Sequence, residues 1–263
     1  LPNPLVDPRK NFKAVMYSGA GSVNVGFKPD LVWLKNIEPT NHRLTDSVRL
    51  ATKTLQSDNP GAEETDIDGL ISFDDYGFTV GNKTPGFDGA SMVSWNWKGG
   101  GPAVINNDGF TRSRVSANKD MGFSVVKWNF DANTTSYIGH GLGKTPDLII
   151  VKKLSFAKNW EVYSTPTGVD NGLFLNTSEA SAPTNAWGST PPTDKFFYYG
   201  TEWGDYIAYC FTNTEMIQVG TYTGNNSVDD NVFVSLPFKP GFLMTKTIDV
   251  ISDKSTTKQN KLK

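Results

Sequence analysis

The sequence predicts an all-β protein assembled from repeated β-sandwich modules, and three observations carry that prediction. Aromatic residues at 12% accompany 25 glycines and 15 prolines, the composition of short strands joined by many turns. No long stretch keeps the apolar spacing of a helix. Finally, one phrase of turn, proline, apolar run and lysine occurs three times: VGFKPDLVWLKN (Val25 to Asn36), HGLGKTPDLIIVKK (His140 to Lys153) and LPFKPGFLMTKT (Leu236 to Thr247). In each copy the lysine stands six positions after the proline, Pro29 to Lys35, Pro146 to Lys152 and Pro240 to Lys246. The proline fixes the backbone just before strand pairing begins.

Residues 1–11 hold Pro2, Pro4 and Pro8, which favour an extended arm over a helix or a central strand. FKAVMY (Phe12 to Tyr17) starts the first module, a small-residue turn from Ser18 to Ser22 follows, and LVWLK comes next. Both alternating sets of that run are apolar, Leu31 with Trp33 and Val32 with Leu34, as in a strand buried on both faces. Lys35 is expected to snorkel at the strand end. The stretch from Asn36 to Asp68 reads as strand and loop, and GLISF and GFTVG flank Asp74-Asp75-Tyr76 as a hairpin. MVSWNWK closes the module, with Val93, Trp95 and Trp97 facing a core and Ser94, Asn96 and Lys98 facing away. Gly99-Gly100-Gly101-Pro102 reads as a flexible break, so the first sandwich module is expected over residues 12–101.

A connector over residues 102–121 leads to a second module over residues 122–215. GFSVVKWNF opens it, PDLIIVKK follows, and YIAYCF closes it with Ile207, Tyr209 and Phe211 in the places of Val93, Trp95 and Trp97. The copies lie 117 positions apart at the proline (29 to 146) and 114 at the closing aromatic (97 to 211), a loop-length change that surfaces tolerate. Residues 216–251 begin a third, partial repeat with MIQVGTYTG and KPGFLMTK but bring no closing strand, so its apolar face needs cover from the second module or from another chain. Residues 252–263 form a polar, lysine-rich tail, expected to be disordered or partner-bound.

Length and charge exclude several function classes. The 263 residues are enough for two domains of ordinary size. Charged residues make up 20% and the net charge is −2, which suggests neither a nucleic-acid footprint nor attraction to an acidic membrane. No run approaches the roughly 18 apolar residues of a membrane span, and the first residues lack a signal-peptide core, so a soluble chain is expected. The single cysteine, Cys210, allows no intrachain disulfide and reads as a buried thiol inside YIAYCF.

No catalytic residue, metal site or cofactor is expected. His42 and His140 fall in different copies, in turn-rich surroundings and away from Cys210, so they read as surface histidines rather than members of a nucleophile pair. The acidic pairs Glu63-Glu64, Asp74-Asp75 and Asp229-Asp230 sit in loops, where solvated turns outrank a glycosidase's carboxylates. Asp66-Ile67-Asp68-Gly69 and Asn107-Asp108-Gly109 resemble pieces of calcium loops but lack the later bidentate carboxylate. For ligand binding the candidates are Trp187, in the loop-like run SAPTNAWGSTPPT, and Trp203, which would stack on a sugar ring while Asn185 and Asp194 hold its hydroxyls. The favoured competing reading folds Trp187 back over a sandwich end or into a subunit interface. Candidate assembly residues are Phe233, Phe238, Phe242 and Met244 of the third copy.

The segments YSGAGS, GFKPDLVWLKN, DSVRLATKTLQS, FDDYGFTVG, MVSWNWKGGG, DGFTRSRVSAN, GHGLGKTPDLIIVKK, NWEVYSTPTG, DNGLFLNTS, DYIAYCF, VGTYTGNNS and FKPGFLMTK span nearly everything from Phe12 to Ile248. Together they resemble repeated β-rich modules of virion proteins from tailed bacteriophages, especially marine ones, that serve as tail-fibre or structural proteins. The resemblance implies concanavalin-like or jelly-roll sandwiches, a location on the outside of the virion and no known catalysis. The expectation is therefore a non-enzymatic bacteriophage virion structural protein, in a tail fibre or external appendage, with a scaffold and host-adhesion role. Its expected partners are other virion proteins, copies of itself (a trimer by analogy) and a host surface glycan. Two alternatives stay open: a capsid decoration or tail-associated structural protein, and, in another class, a carbohydrate-binding module or glycan-active enzyme. The truncated third module departs from the family's modular continuation.

Overall fold

Strands that are apolar on both faces need cover on both sides, and the chain meets that need by stacking four β layers. The computed structural model describes residues 7–82, 89–131, 136–200, 202–225 and 232–249. The first half forms β1 (Phe12–Ser18), β2 (Gly21–Asn24), β3 (Leu31–Asn36), β4 (Arg43–Asp46), β5 (Lys53–Thr54), β6 (Glu64–Thr65), β7 (Leu70–Asp74), β8 (Gly77–Val80) and β9 (Ser91–Trp97). The second forms β10 (Val104–Asn106), β11 (Ser113–Asn118), β12 (Phe123–Phe130), β13 (Tyr137–Gly139), β14 (Leu148–Lys153), β15 (Glu161–Ser164), β16 (Asn171–Phe174), β17 (Ala182–Pro183), β18 (Phe196–Tyr198) and β19 (Gly204–Phe211). Among the described residues no α-helix is present, and none is long and apolar enough to cross a membrane.

Two larger sheets make the middle of the stack. One has the order β1-β9-β3-β4, the other β10-β11-β12-β19-β14-β15-β16-β17, and their strand pairs are antiparallel. Their facing surfaces share one core, in which Leu31, Trp33 and Trp97 of the first half meet Phe123, Val125, Ile150, Ile207 and Tyr209 of the second. The outer face of the smaller sheet carries Val32, Leu34 and Met92 and is covered by the β2-β8-β7 sheet through Val23, Phe78 and Leu70. The outer face of the larger sheet carries Val126, Trp128, Ile149, Val151 and Tyr206 and is covered by the β13-β18 ribbon through Ile138 and Phe197. Burial of Leu31 to Leu34 on both faces is thereby realised, and the all-β sandwich class holds.

The central strands follow the same order in both halves, β1-β9-β3-β4 beside β12-β19-β14-β15. The local bonding recurs as well. The Asp30 amide donates to the Trp97 carbonyl and the Asp147 amide to the Phe211 carbonyl, both at 2.8 Å. Each aspartate carbonyl then accepts from the residue after the neighbouring strand, Ser47 in one half and Thr165 in the other. The carboxylates pin the backbone just past the closing strand: Asp30 accepts from the amides of Gly99 (2.8 Å) and Gly101 (3.4 Å), Asp147 from that of Asn213 (2.7 Å). The third copy has Gly241 at this position, so no carboxylate closes it, and among the described residues 212–249 form no strand.

Four expectations need correction. Gly99 to Gly101 are not a loose break: Asp30 and Ser116 hold their amides, and a side chain at Gly100 would meet the Ala117 carbonyl oxygen at 2.4 Å. The expected connector over 102–121 supplies β10 and β11 of the larger sheet. In β9, Ser94 and Asn96 do not face solvent; the β2-β8-β7 layer covers that face, and Asn96 donates to the Lys13 carbonyl (2.9 Å) and to Ser94 Oγ (2.9 Å). In the expected N-terminal arm, Pro8–Lys10 make one 3-10 turn capped by the Asp7 carboxylate, because proline at the first turn has no amide to leave unsatisfied. The pair Asp229-Asp230 and the tail 252–263 lie outside the described residues.

Candidate functional site

The most concentrated polar cluster is buried between the two central sheets. Asp46 Oδ2 accepts from Arg49 Nε (2.5 Å) and from the Tyr209 hydroxyl (2.8 Å), while Asp46 Oδ1 accepts from the amides of Val48 and Arg49. Arg49 also reaches Glu63 (3.2 Å), the Leu44 carbonyl (3.0 Å) and the Tyr209 hydroxyl (3.3 Å). Burial works against the guanidinium charge, but Asp46, Tyr209 and Glu63 outweigh it and hold Arg49 above its ordinary range. Glu63, expected as part of a solvated turn, is instead a partner of this ion pair. With the Arg49 and Asp46 side chains fully enclosed, the cluster joins the halves and has no access to a substrate.

The nucleophile and base candidates do not converge. Cys210 is buried in the outer core of the larger sheet, and burial raises its thiol well above the usual range. His42 is half-buried and accepts a hydrogen bond at Nδ1 from Trp33 Nε1 (2.8 Å). His140 is not a surface histidine: it is fully buried against the Phe197 ring, and burial pushes its pKa down to about 4. Among the described residues no group of three or more His, Cys, Asp and Glu could hold a metal ion. A cavity of about 20 Å³, lined by Arg43, Thr52, Thr54, Asp66 and Asp68, suits one water rather than an organic substrate. Thr52, at φ 67°, sits in its wall; a β-branched residue there is strained.

The repeated lysines share a structural task. Lys35 Nζ donates to the carbonyls of Asn36 (2.5 Å) and Glu38 (2.7 Å), Lys152 Nζ to those of Lys153 (2.7 Å) and Phe156 (3.5 Å), and Lys246 Nζ to that of Thr177. In the first two copies the ammonium folds back over the turn that ends the strand rather than reaching for solvent. Lys152 is buried, and burial together with Lys158 and Lys153 brings its pKa down to about 8.

The four residues expected at a glycan site do not come together. Trp187 is only 1% exposed and packs on Tyr163 and Tyr199 in the outer core, which bears out the reading that it folds back over the sandwich. Asn185 is exposed beside Asp170, Pro183 and Thr184, and Asp194 is exposed just before β18. Trp203 is 66% exposed and stands against different residues. Its ring centroid lies 6.3 Å from that of Phe156, itself 54% exposed, with the planes at 83°. Lys153 Nζ sits 5.2 Å from the Phe156 centroid and 5.9 Å from that of Trp203, and pairs with Glu202 at 2.7 Å. The Tyr206 hydroxyl donates to the Glu202 carbonyl (2.6 Å) and fixes the loop. A Cβ on Gly204 would lie 3.1 Å from Lys153 Cε and 3.0 Å from Ser155 Oγ, so the lysine's approach depends on glycine there. Phe156, Lys153 and Glu202 are not among the residues that the sequence singles out. Of these, Phe156 carries a signal in the repeat offset, which sets it against Pro39 as it sets Trp203 against Gly89.

Of the candidate assembly residues, Phe242 and Met244 pack against this chain's own central core. Phe242 enters a box of rings, with centroids 5.8 Å from Trp33, 5.6 Å from Trp95, 5.3 Å from Trp97 and 6.5 Å from Phe12. Phe238 is half-buried, whereas Phe233 is 88% and Leu243 75% exposed. Phe242→Ala is expected to cost about 2 kcal/mol, below the roughly 3–5 of a fully enclosed phenylalanine. The measurements are a urea midpoint and a red shift of tryptophan emission as Trp33, Trp95 and Trp97 gain water. An unchanged spectrum and midpoint would show that the segment does not hold the box closed.

The model of one family, a domain of unknown function (DUF7483), matches residues 7–261, and the chain belongs to that family. The match runs through both halves and the third copy as one unit. No curated protein and no solved structure matches the chain.

Proposed function

We propose that this chain is a structural subunit on the outside of a tailed-bacteriophage virion, in a tail fibre or another external appendage, acting as scaffold and host adhesin. The observation that carries the reading is the third copy. Its inner residues Met216, Ile217, Phe242 and Met244 complete the central core, while Phe233 and Leu243 remain among its outward apolar side chains. The positions matching Leu243 in the first two copies, Val32 and Ile149, are fully buried beneath a second β layer. An apolar surface of this kind is covered by association, and a second copy of the chain supplies that cover. The buried ion pair and the carboxylate clamps suit a rigid building block, and the sequence resemblance supplies the virion context.

Two measurements test this reading. Gold-labelled antibody against the chain should decorate the tail or surface of phage particles that carry its gene. Light scattering should give an oligomeric mass that falls towards the monomer for Phe233→Ser and Leu243→Ser, both exposed positions. Unlabelled particles would remove the virion role, and a monomer at every concentration would remove self-association.

A further inference from the structure

We propose that the corner formed by Trp203 and Phe156 binds a neutral hexose at the end of a glycan chain. The inference deepens the adhesive half of the proposed function and rests on it for its context, yet its geometry belongs to the isolated chain.

The fold does not need these two aromatic side chains. In the first half, with the same strand order, the matching positions are Gly89 and Pro39, and the strands they flank, β9 and β3, pair as β19 and β14 do. Beyond their contact with each other and with the Lys153 ammonium, both large rings remain more than half exposed, which leaves apolar surface in water. Their near-perpendicular arrangement offers one face for stacking and a second wall against the side of a ring.

Charge selects the ligand class. Lys153 is nearly enclosed, its side chain 5% exposed, whereas the Glu202 side chain it holds is 58% exposed. The hydrogen bond from Lys153, aided by the charges of Lys158 and Lys153, keeps the Glu202 carboxyl below the usual carboxylate range, so it presents an ionised acceptor at neutral pH. An ionised acceptor beside aromatic rings fits a ligand with an apolar C–H face and adjacent hydroxyl donors, which describes a hexopyranose. The same charge repels sugar carboxylates, so uronic and sialic acids are disfavoured. Lys153, which lies over both rings, acts as a positioning residue that holds the Glu202 carboxylate beside them. Tyr206 and Gly204 secure the loop from below.

The test is saturation-transfer NMR on the full chain with lactose, cellobiose, maltose and diacetylchitobiose as probes, and glucuronate and sialyllactose as acidic counterparts. At least one neutral probe should bind in the millimolar range. Trp203→Ala and Phe156→Ala should each weaken it about tenfold or more, and Glu202→Gln several-fold. Because both rings are exposed, the thermal midpoint of the aromatic variants should stay at the parent value, which separates lost binding from lost folding. No transfer to any neutral probe at tens of millimolar would overturn the proposal, as would affinity untouched by both aromatic variants or a preference for the acidic sugars. Each of those results would leave the virion and self-association tests standing.

Discussion

Asp46→Ala is expected to lower the unfolding free energy by about 3–5 kcal/mol, the range for removing one partner of a buried ion pair. Asp46 accepts four hydrogen bonds, from two amides, the Arg49 guanidinium and the Tyr209 hydroxyl. Truncation leaves Arg49 enclosed with Glu63 as its remaining acidic partner and leaves Tyr209 facing a cation. Because Asp46 and Tyr209 belong to different halves, the loss acts on the joint between the sheets as well as on one loop. Tyr209→Phe keeps the ion pair and should cost about 1–3 kcal/mol. The double change Asp46→Leu with Arg49→Met should cost less than Asp46→Ala alone, since it removes the charge imbalance together with the charges. Urea unfolding checks all three through the midpoint at constant slope. A cost under about 1 kcal/mol for Asp46→Ala would mean that water reaches the guanidinium, contrary to the enclosed geometry.

The strand inventory is legible because the apolar runs carry their own phase. FKAVMY, LVWLK, PDLIIVKK and YIAYCF become β1, β3, β14 and β19, and the expected hairpin at Asp74-Asp75-Tyr76 forms, with Asp74 ending β7 and Asp75-Tyr76 turning into β8. Stacking order is not legible, since alternation states which residues share a face and not which sheet will cover it. That is why Ser94 and Asn96 read as solvent-facing although a third layer lies over them. The glycine run misleads for a related reason. Glycine serves flexible breaks and tight approaches equally, and only partners distant in sequence, Asp30 and Ser116, decide between them. At the candidate site, Trp203 is visible as an aromatic outside the apolar runs and the repeat offset marks Phe156 as a ring where the first copy has a proline, but neither signal states that the two rings meet.

The buried histidine sets the second large effect, a loss of stability in mild acid. His140 Nδ1 accepts from the Leu142 amide (3.2 Å), so the proton of the neutral ring sits on Nε2 and is donated to the Thr193 carbonyl at 3.2 Å. Protonating Nδ1 would turn that acceptor against an amide donor inside the outer core. Burial therefore places the folded pKa at about 4, with Asp108 and Asp194 only partly offsetting it, against 6.5 for the free side chain. The folded pKa is the lower one, so the contribution is fully present above pH 6.5, declines as the unfolded chain takes up its proton, and is exhausted near pH 4. Integrated over that window the loss is about 3 kcal/mol. Burial lowers the pKa of the half-buried His42 as well, so the informative quantity is the difference from His140→Gln, which retains that group. That variant should be about 1–2 kcal/mol less stable at about pH 7 and should draw level with, or pass, the parent by about pH 4.5. Parallel stability curves for the two proteins between neutral pH and that point would show that His140 is not held neutral in the core.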